Sequence, residues 1–77
     1  MTRAAFLQHY EALLESKYPW AVSPEKRASF MAKIIDTLDR EKPGGPWNPD
    51  GPTTIEAWRA IGGRGKPSMK ALRALPH

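Results

Sequence analysis

From Arg59 onward the chain carries five cationic side chains, Arg59, Arg64, Lys66, Lys70 and Arg73, and after Glu56 it has no carboxylate to answer them. Side chains of this kind hold anions, lysine as a point charge and arginine through a planar fork that grips carboxylate or phosphate with two bonds. This end of the chain is formally +5, against −1 for the first 56 residues with their seven basic and eight acidic side chains. Ser68 adds a hydroxyl at the expected start of a helix, within reach of a phosphate. Wound at about 100° per residue, Lys66, Lys70, Arg73 and His77 would share an arc of about 60°, with Met69, Leu72 and Leu75 on a separate apolar arc. Lys66 and Lys70 would then stand near the positive end of their own helix dipole, so helix stability does not account for them.

Other chemistry finds no such grouping. The two histidines are His9, beside Tyr10 on a helix and read as a surface or boundary residue, and His77 at the terminus. Asp36 and Asp39 could share a cation, but hard cations take six or more oxygens and no third ligand is near. No enzyme activity, metal or cofactor is expected. A phosphate-binding P-loop would need Gly where Ala60 stands and Ser or Thr where Pro67 stands. Arg64-Gly65-Lys66-Pro67 resembles the Arg-Gly-Arg-Pro core of the AT-hook over those four residues, with Lys where the core has Arg and without the basic-Pro flank before it. The resemblance implies that Arg64 inserts into a narrow minor groove as an auxiliary contact.

The elements that must position these residues are helical. Phe6, Leu7, Tyr10, Leu13 and Leu14 recur at helical spacing and predict a helix over about 2–17, with Arg3, Gln8, Glu11 and Glu15 toward water. Tyr18 precedes Pro19 and so leaves the α region, after which Trp20, Ala21 and Val22 form an apolar connector. Ser23-Pro24-Glu25 is a helix start for a second helix over about 24–40. Its stripe is Arg27, Phe30, Met31, Ile34, Ile35 and Leu38; Arg40 and Lys42 suit its C-terminal end, and Pro43-Gly44-Gly45-Pro46 stops it. The Pro/Gly loop over 43–52 is read as pinned to the body by Trp47. Thr53 and Glu56 have capping-box spacing ahead of a third helix over about 54–61 with Ile55, Trp58 and Ile61 inward, closed by Gly62. A fourth helix over about 68–75 ends at Pro76.

A chain of 77 residues without cysteine makes one domain with neither disulfides nor thiolate metal sites. It shows no signal-peptide core, no membrane-length apolar run and no heptad seam, which leaves the oligomeric state open, a dimer included. The reading is a soluble, cytoplasmic, all-α domain of four helices: two longer antiparallel helices and a short helix-turn-helix-like pair, spanning residues 1–77. Its function is read as non-enzymatic nucleic-acid binding in a small regulatory protein, duplex DNA favoured, through Arg59, Arg64, Lys66, Ser68, Lys70 and Arg73, with Arg73 reading guanine. The alternative is an adaptor whose basic face meets an acidic protein surface, with Trp20 and Trp47 as an apolar interaction patch. The same cations also suit an ordinary solvated face that keeps a protein soluble.

Overall fold

The computed structural model describes residues 1–40 and 47–77. They form α1 (Arg3–Lys17), a 3₁₀ turn (Pro19–Val22), α2 (Pro24–Asp39), α3 (Pro52–Ala60) and α4 (Met69–Arg73), with no strand among the described residues. The fold is all-α, as the hydrophobic periodicity predicts. Among the described residues no helix is long and apolar enough to cross a membrane.

Three of the four helix starts are written locally. The first orphan N–H groups of a helix need an acceptor, and a short hydroxyl side chain one residue upstream supplies it. Thr2 Oγ1 accepts from the Ala5 N–H at 3.0 Å, Ser23 Oγ from Lys26 at 3.5 Å and Ser68 Oγ from Ala71 at 3.0 Å. Tyr18 is extended at φ −120° and ψ 122°, which ends α1 before Pro19.

The start of α3 departs from expectation. Pro52 takes the first helical position and Gly51 the cap, with no side-chain cap bond. The preset φ of proline fits that position without loss, so the helix begins two residues earlier than the Thr53 to Glu56 capping box requires. Thr53 and Thr54 become buried first-turn residues, and the Thr53 hydroxyl lies 3.3 Å from that of Tyr18. Glu56 pairs with Lys17 of α1 instead of reaching back to its own helix.

The core is one cluster built from Phe6, Tyr10 and Leu14 of α1, Met31, Ile34 and Leu38 of α2, Ala57 and Trp58 of α3, and Leu72 and Leu75 near the C-terminus. Contacts between α1 and α2 run in opposite chain order: Arg3 meets Asp39, Tyr10 stacks on Phe30 at 6.4 Å, and Glu15 meets Arg27. Ile35, expected inward, is 40% exposed. Thr37 takes an inward place because its hydroxyl donates to the Lys33 carbonyl at 2.8 Å and needs no water.

Trp47 belongs to this core. It is 8% exposed, with its ring centroid 6.3 Å from that of Phe6 and 5.9 Å from that of Tyr10, and its indole N–H donates to the Tyr10 hydroxyl at 3.4 Å. The expected anchoring role holds, whereas the surface patch shared with Trp20 does not: a buried indole offers no face to a partner. The expected stop of α2 at Pro43-Gly44-Gly45-Pro46 and the placement of Lys42 lie outside the described residues.

Candidate functional site: the basic turn and its neighbours

Helix α3 ends in a pair of glycine-dependent bonds. The Gly63 N–H donates to the Trp58 carbonyl at 2.9 Å and the Gly62 N–H to the Arg59 carbonyl at 3.0 Å, with Gly62 in the left-handed region at φ +94°. This is the Schellman arrangement, which satisfies two carbonyls that would otherwise be orphaned at the helix end. Gly63 is required for another reason: a Cβ there would overlap the Trp58 indole. The indole N–H in turn donates to the Arg64 carbonyl at 3.2 Å. The chain is thus folded around one ring, and Pro67 is buried further along.

This ordered backbone presents Arg64 and Lys66 to solvent, and Arg59 and Lys70 on either side are exposed as well. Among the described residues none of these four cations is in an ion pair. Arg59 lines a cleft together with Lys17 and Glu56. The segment from Ile61 to Ser68 that joins α3 to α4 is eight residues long, where helix-turn-helix units use three or four. Arg64-Gly65-Lys66-Pro67 is part of this folded turn, with Gly65 at φ +68°, so it is not the extended segment that a hook-like insertion needs.

Two sequence-based assignments change on this side. Helix α4 has five residues, Met69–Arg73, and Lys66 stands outside it, so the continuous basic arc from Lys66 to His77 does not form. Ser68 Oγ accepts the Ala71 N–H as the cap of α4, a bond that leaves its O–H to donate. Arg73 points back into the fold: its Nη2 donates to the Thr37 carbonyl at 2.8 Å, in the last turn of α2. The last carbonyls of a helix lack intrahelical donors and carry partial negative charge, which makes them a natural seat for a guanidinium. Arg73 therefore clamps the end of α2 in this fold, a placement that turns its guanidinium away from the guanine contact expected of it.

Arg3 is the residue that sequence reasoning misses. Expected to face water, it is 8% exposed; Nη1 donates to Asp39 at 2.7 Å and Nη2 to the Arg73 carbonyl at 3.4 Å. Its own backbone N–H donates to the Pro76 carbonyl at 2.7 Å. One residue thus ties the start of α1 to the ends of α2 and of the chain. The only local hint was its place just inside the start of a helix, which says nothing about a carboxylate 36 residues away. Asp36 pairs with Arg40 at 3.1 Å, so the two neighbouring carboxylates of α2 face separate cations and do not converge. No three His, Asp or Glu side chains among the described residues are placed to hold a metal ion.

Trp20, the other half of the expected apolar patch, is 37% exposed, with its ring 5.8 Å from Tyr18 and 5.4 Å from Phe30. The 3₁₀ turn that carries it is fastened by Arg27, whose Nη1 donates to the Ala21 carbonyl at 2.6 Å. Arg27 also faces Glu11 and Glu15, at 3.5 and 4.0 Å. The charges of the first two helices are therefore largely answered within the fold, and those around the turn are not. Comparisons of this chain with protein-family models, with curated proteins and with solved structures find no match.

Proposed function

We propose that this protein binds nucleic acid without catalysing a reaction on it, and that Arg59, Arg64, Lys66 and Lys70 make its phosphate contacts. The observation that carries the reading is a set of four exposed cations without acidic partners, two of them on a turn whose backbone is fixed by Trp58. Placing charges on a pre-ordered backbone lowers the conformational cost of meeting an anion. Duplex DNA is the favoured target because its phosphates form a regular, dense anionic row. The contact is to the backbone and tolerant of sequence: the five residues of α4 span only about 7.5 Å, so the helix-turn-helix-like element of this reading acts by its turn and not by a groove-reading helix. The reading takes the protein as a cytoplasmic regulator, in keeping with a chain free of cysteine.

An acidic protein surface is the other partner such cations fit. The feature that favoured it was a joint Trp20 and Trp47 patch, and burial of Trp47 removes half of that patch.

The test is binding to a random-sequence duplex as a function of salt. Four phosphate contacts give a slope of log K against log salt of about −3.6 on B-form DNA, and Arg64→Ala with Lys66→Ala should reduce its magnitude by about 1.8. Absence of duplex binding at ~50 mM salt, or a slope unmoved by the double substitution, overturns the proposal.

A further inference from the structure

Far from the basic turn in sequence, the molecule carries a second cationic arrangement, this one built around rings. Trp20, Lys26, Ser29, Phe30 and Lys33 line a surface cleft of about 320 Å³. The four α2 residues fall at positions i, i+3, i+4 and i+7, so they share one helix face, with the two lysines about 10.5 Å apart along the axis and Phe30 between them. Trp20 leans over this face from the 3₁₀ turn, its ring inclined 50° to that of Phe30.

Three features set the cleft apart. Its lining contains no carboxylate, whereas the clefts around Leu7 and Met31, around Ile55 and Arg59, and around Arg3 and Ile35 contain Glu11, Glu56 and Asp39 respectively. Lys26 and Lys33 of α2 enter no ion pair among the described residues, although Arg27 of the same helix, Arg40 at its C-cap and Arg3 of α1 all do. Trp20 is held in place while still partly exposed: Pro19 opens its turn, the Ala21 N–H donates to the Tyr18 carbonyl at 3.0 Å, and Arg27 grips the Ala21 carbonyl. A fixed aromatic surface with a cation on either side complements a planar group that carries an anion on either side.

We infer that this cleft takes an unpaired base of single-stranded nucleic acid, stacked against Trp20 and Phe30, with the flanking phosphates held by Lys26 and Lys33. Base-on-aromatic stacking tolerates any sequence, since every base has a π face, and a basic groove tracks the backbone on both sides. An acidic peptide would bring carboxylates but no plane to stack at the same spacing, so it is the weaker fit. The site shares with the duplex reading only the class of partner; its residues are all different.

The experiment measures anisotropy of a labelled thymidine strand of roughly 12 nucleotides, an abasic strand of equal length and a hairpin duplex, at ~50 mM salt. Trp20→Ala should weaken the thymidine strand about tenfold while leaving the duplex within about twofold. The abasic strand should bind wild type about tenfold more weakly than the thymidine strand. Arg64→Ala with Lys66→Ala should show the opposite preference, losing duplex and keeping the strand, so each surface can fail without the other. Lys26→Gln with Lys33→Gln lies on an exposed helix face, does not touch the core, and should also weaken the strand about tenfold; it decides the matter if Trp20→Ala does not fold. Equal binding of abasic and thymidine strands, an unaltered strand affinity in the lysine variant, or competition by an acidic polypeptide as effective as that by the strand overturns the inference.

Discussion

The two ends of this chain use the same residue types in opposite ways. Along α1, α2 and its C-cap, Arg3, Lys17, Arg27 and Arg40 each meet a carboxylate while Lys26 and Lys33 do not, and Arg3 and Arg27 also bond main-chain carbonyls. Between Arg59 and Lys70 the cations are exposed and enter no ion pair among the described residues. The rings divide in the same way. Phe6, Tyr10 and Trp47 pack on one another in the core, with Phe30 and Trp20 continuing the row toward the surface. Trp58 makes no ring contact with that row and instead organises a turn through its indole N–H and its contact with Gly63. Charge and aromatic character alone thus do not distinguish structural from available residues. What distinguishes them is whether a helix end or a carboxylate lies within reach.

The contrast can be broken at its two aromatic anchors. Phe6 is fully buried against Tyr10 and Trp47, and Phe6→Ala should cost about 3–5 kcal/mol through lost burial and the cavity left behind. For a domain of this size each kcal/mol moves the melting temperature by about 4–8 °C, so that of the variant should fall by roughly 12–40 °C in a circular-dichroism scan. A loss below ~1 kcal/mol would mean that the ring row is not the keystone of the first half. Gly63→Ala is expected next, at about 2–3 kcal/mol, because the new methyl group must displace the Trp58 ring or open the turn. The melting temperature should fall by roughly 10–20 °C, and Trp58 should gain solvent exposure in fluorescence quenching. An unshifted melting curve would show that the turn is not folded around Trp58.

How much of this was legible in the sequence follows from how far each determinant reaches. Thr2, Ser23 and Ser68 act within three residues of themselves, and their helix starts can be read directly. Gly62 was assigned the left-handed closing position and occupies it. The start of α3 is not legible in the same way, because two local signals compete, Pro52 at a first position and Thr53 at a cap, and only the tertiary fit of Thr53 beside Tyr18 separates them. The candidate site was legible as a charge imbalance but not as a geometry. Arg73 and Lys66 look alike in sequence, yet Arg73 faces the end of α2, 36 residues away in the chain, and Lys66 faces water. Arg3 was lost for the same reason. A helix of 68–75 was expected from Leu72 and Leu75, and the apolar pair is buried as expected, but the helix closes at Arg73 and Leu75 reaches the core from beyond it.

Arg73 offers the sharper cut between structural and available cations. Its guanidinium donates to a carbonyl at the C-terminal end of α2 and its own carbonyl receives Arg3. Alanine at this position keeps the carbonyl that receives Arg3 but leaves the Thr37 carbonyl without its charged donor, at a cost of about 1–2 kcal/mol. Thermal melts of Arg73→Ala should fall by roughly 4–16 °C, while its slope of duplex affinity against salt stays that of wild type. A flattened slope with unchanged stability would put Arg73 among the available cations and erase the distinction at that position.

The smallest stability effect is expected where the binding effect is largest. Arg64 and Lys66 are exposed and unpaired among the described residues, and the turn that carries them is held by main-chain bonds and by the Trp58 indole. Nothing beyond their Cβ atoms contributes to that framework. Lys66 precedes Pro67 and is therefore confined to extended backbone, which alanine adopts as readily as lysine. The formal net charge of +4 also falls when two cations are removed, which eases mutual repulsion and acts in the stabilising direction. Arg64→Ala with Lys66→Ala should consequently leave unfolding free energy within ~0.5 kcal/mol of wild type in a urea titration. A loss as large as that of Arg73→Ala would mean that the turn depends on its charged side chains, and the cations of the two ends would then differ in degree and not in kind.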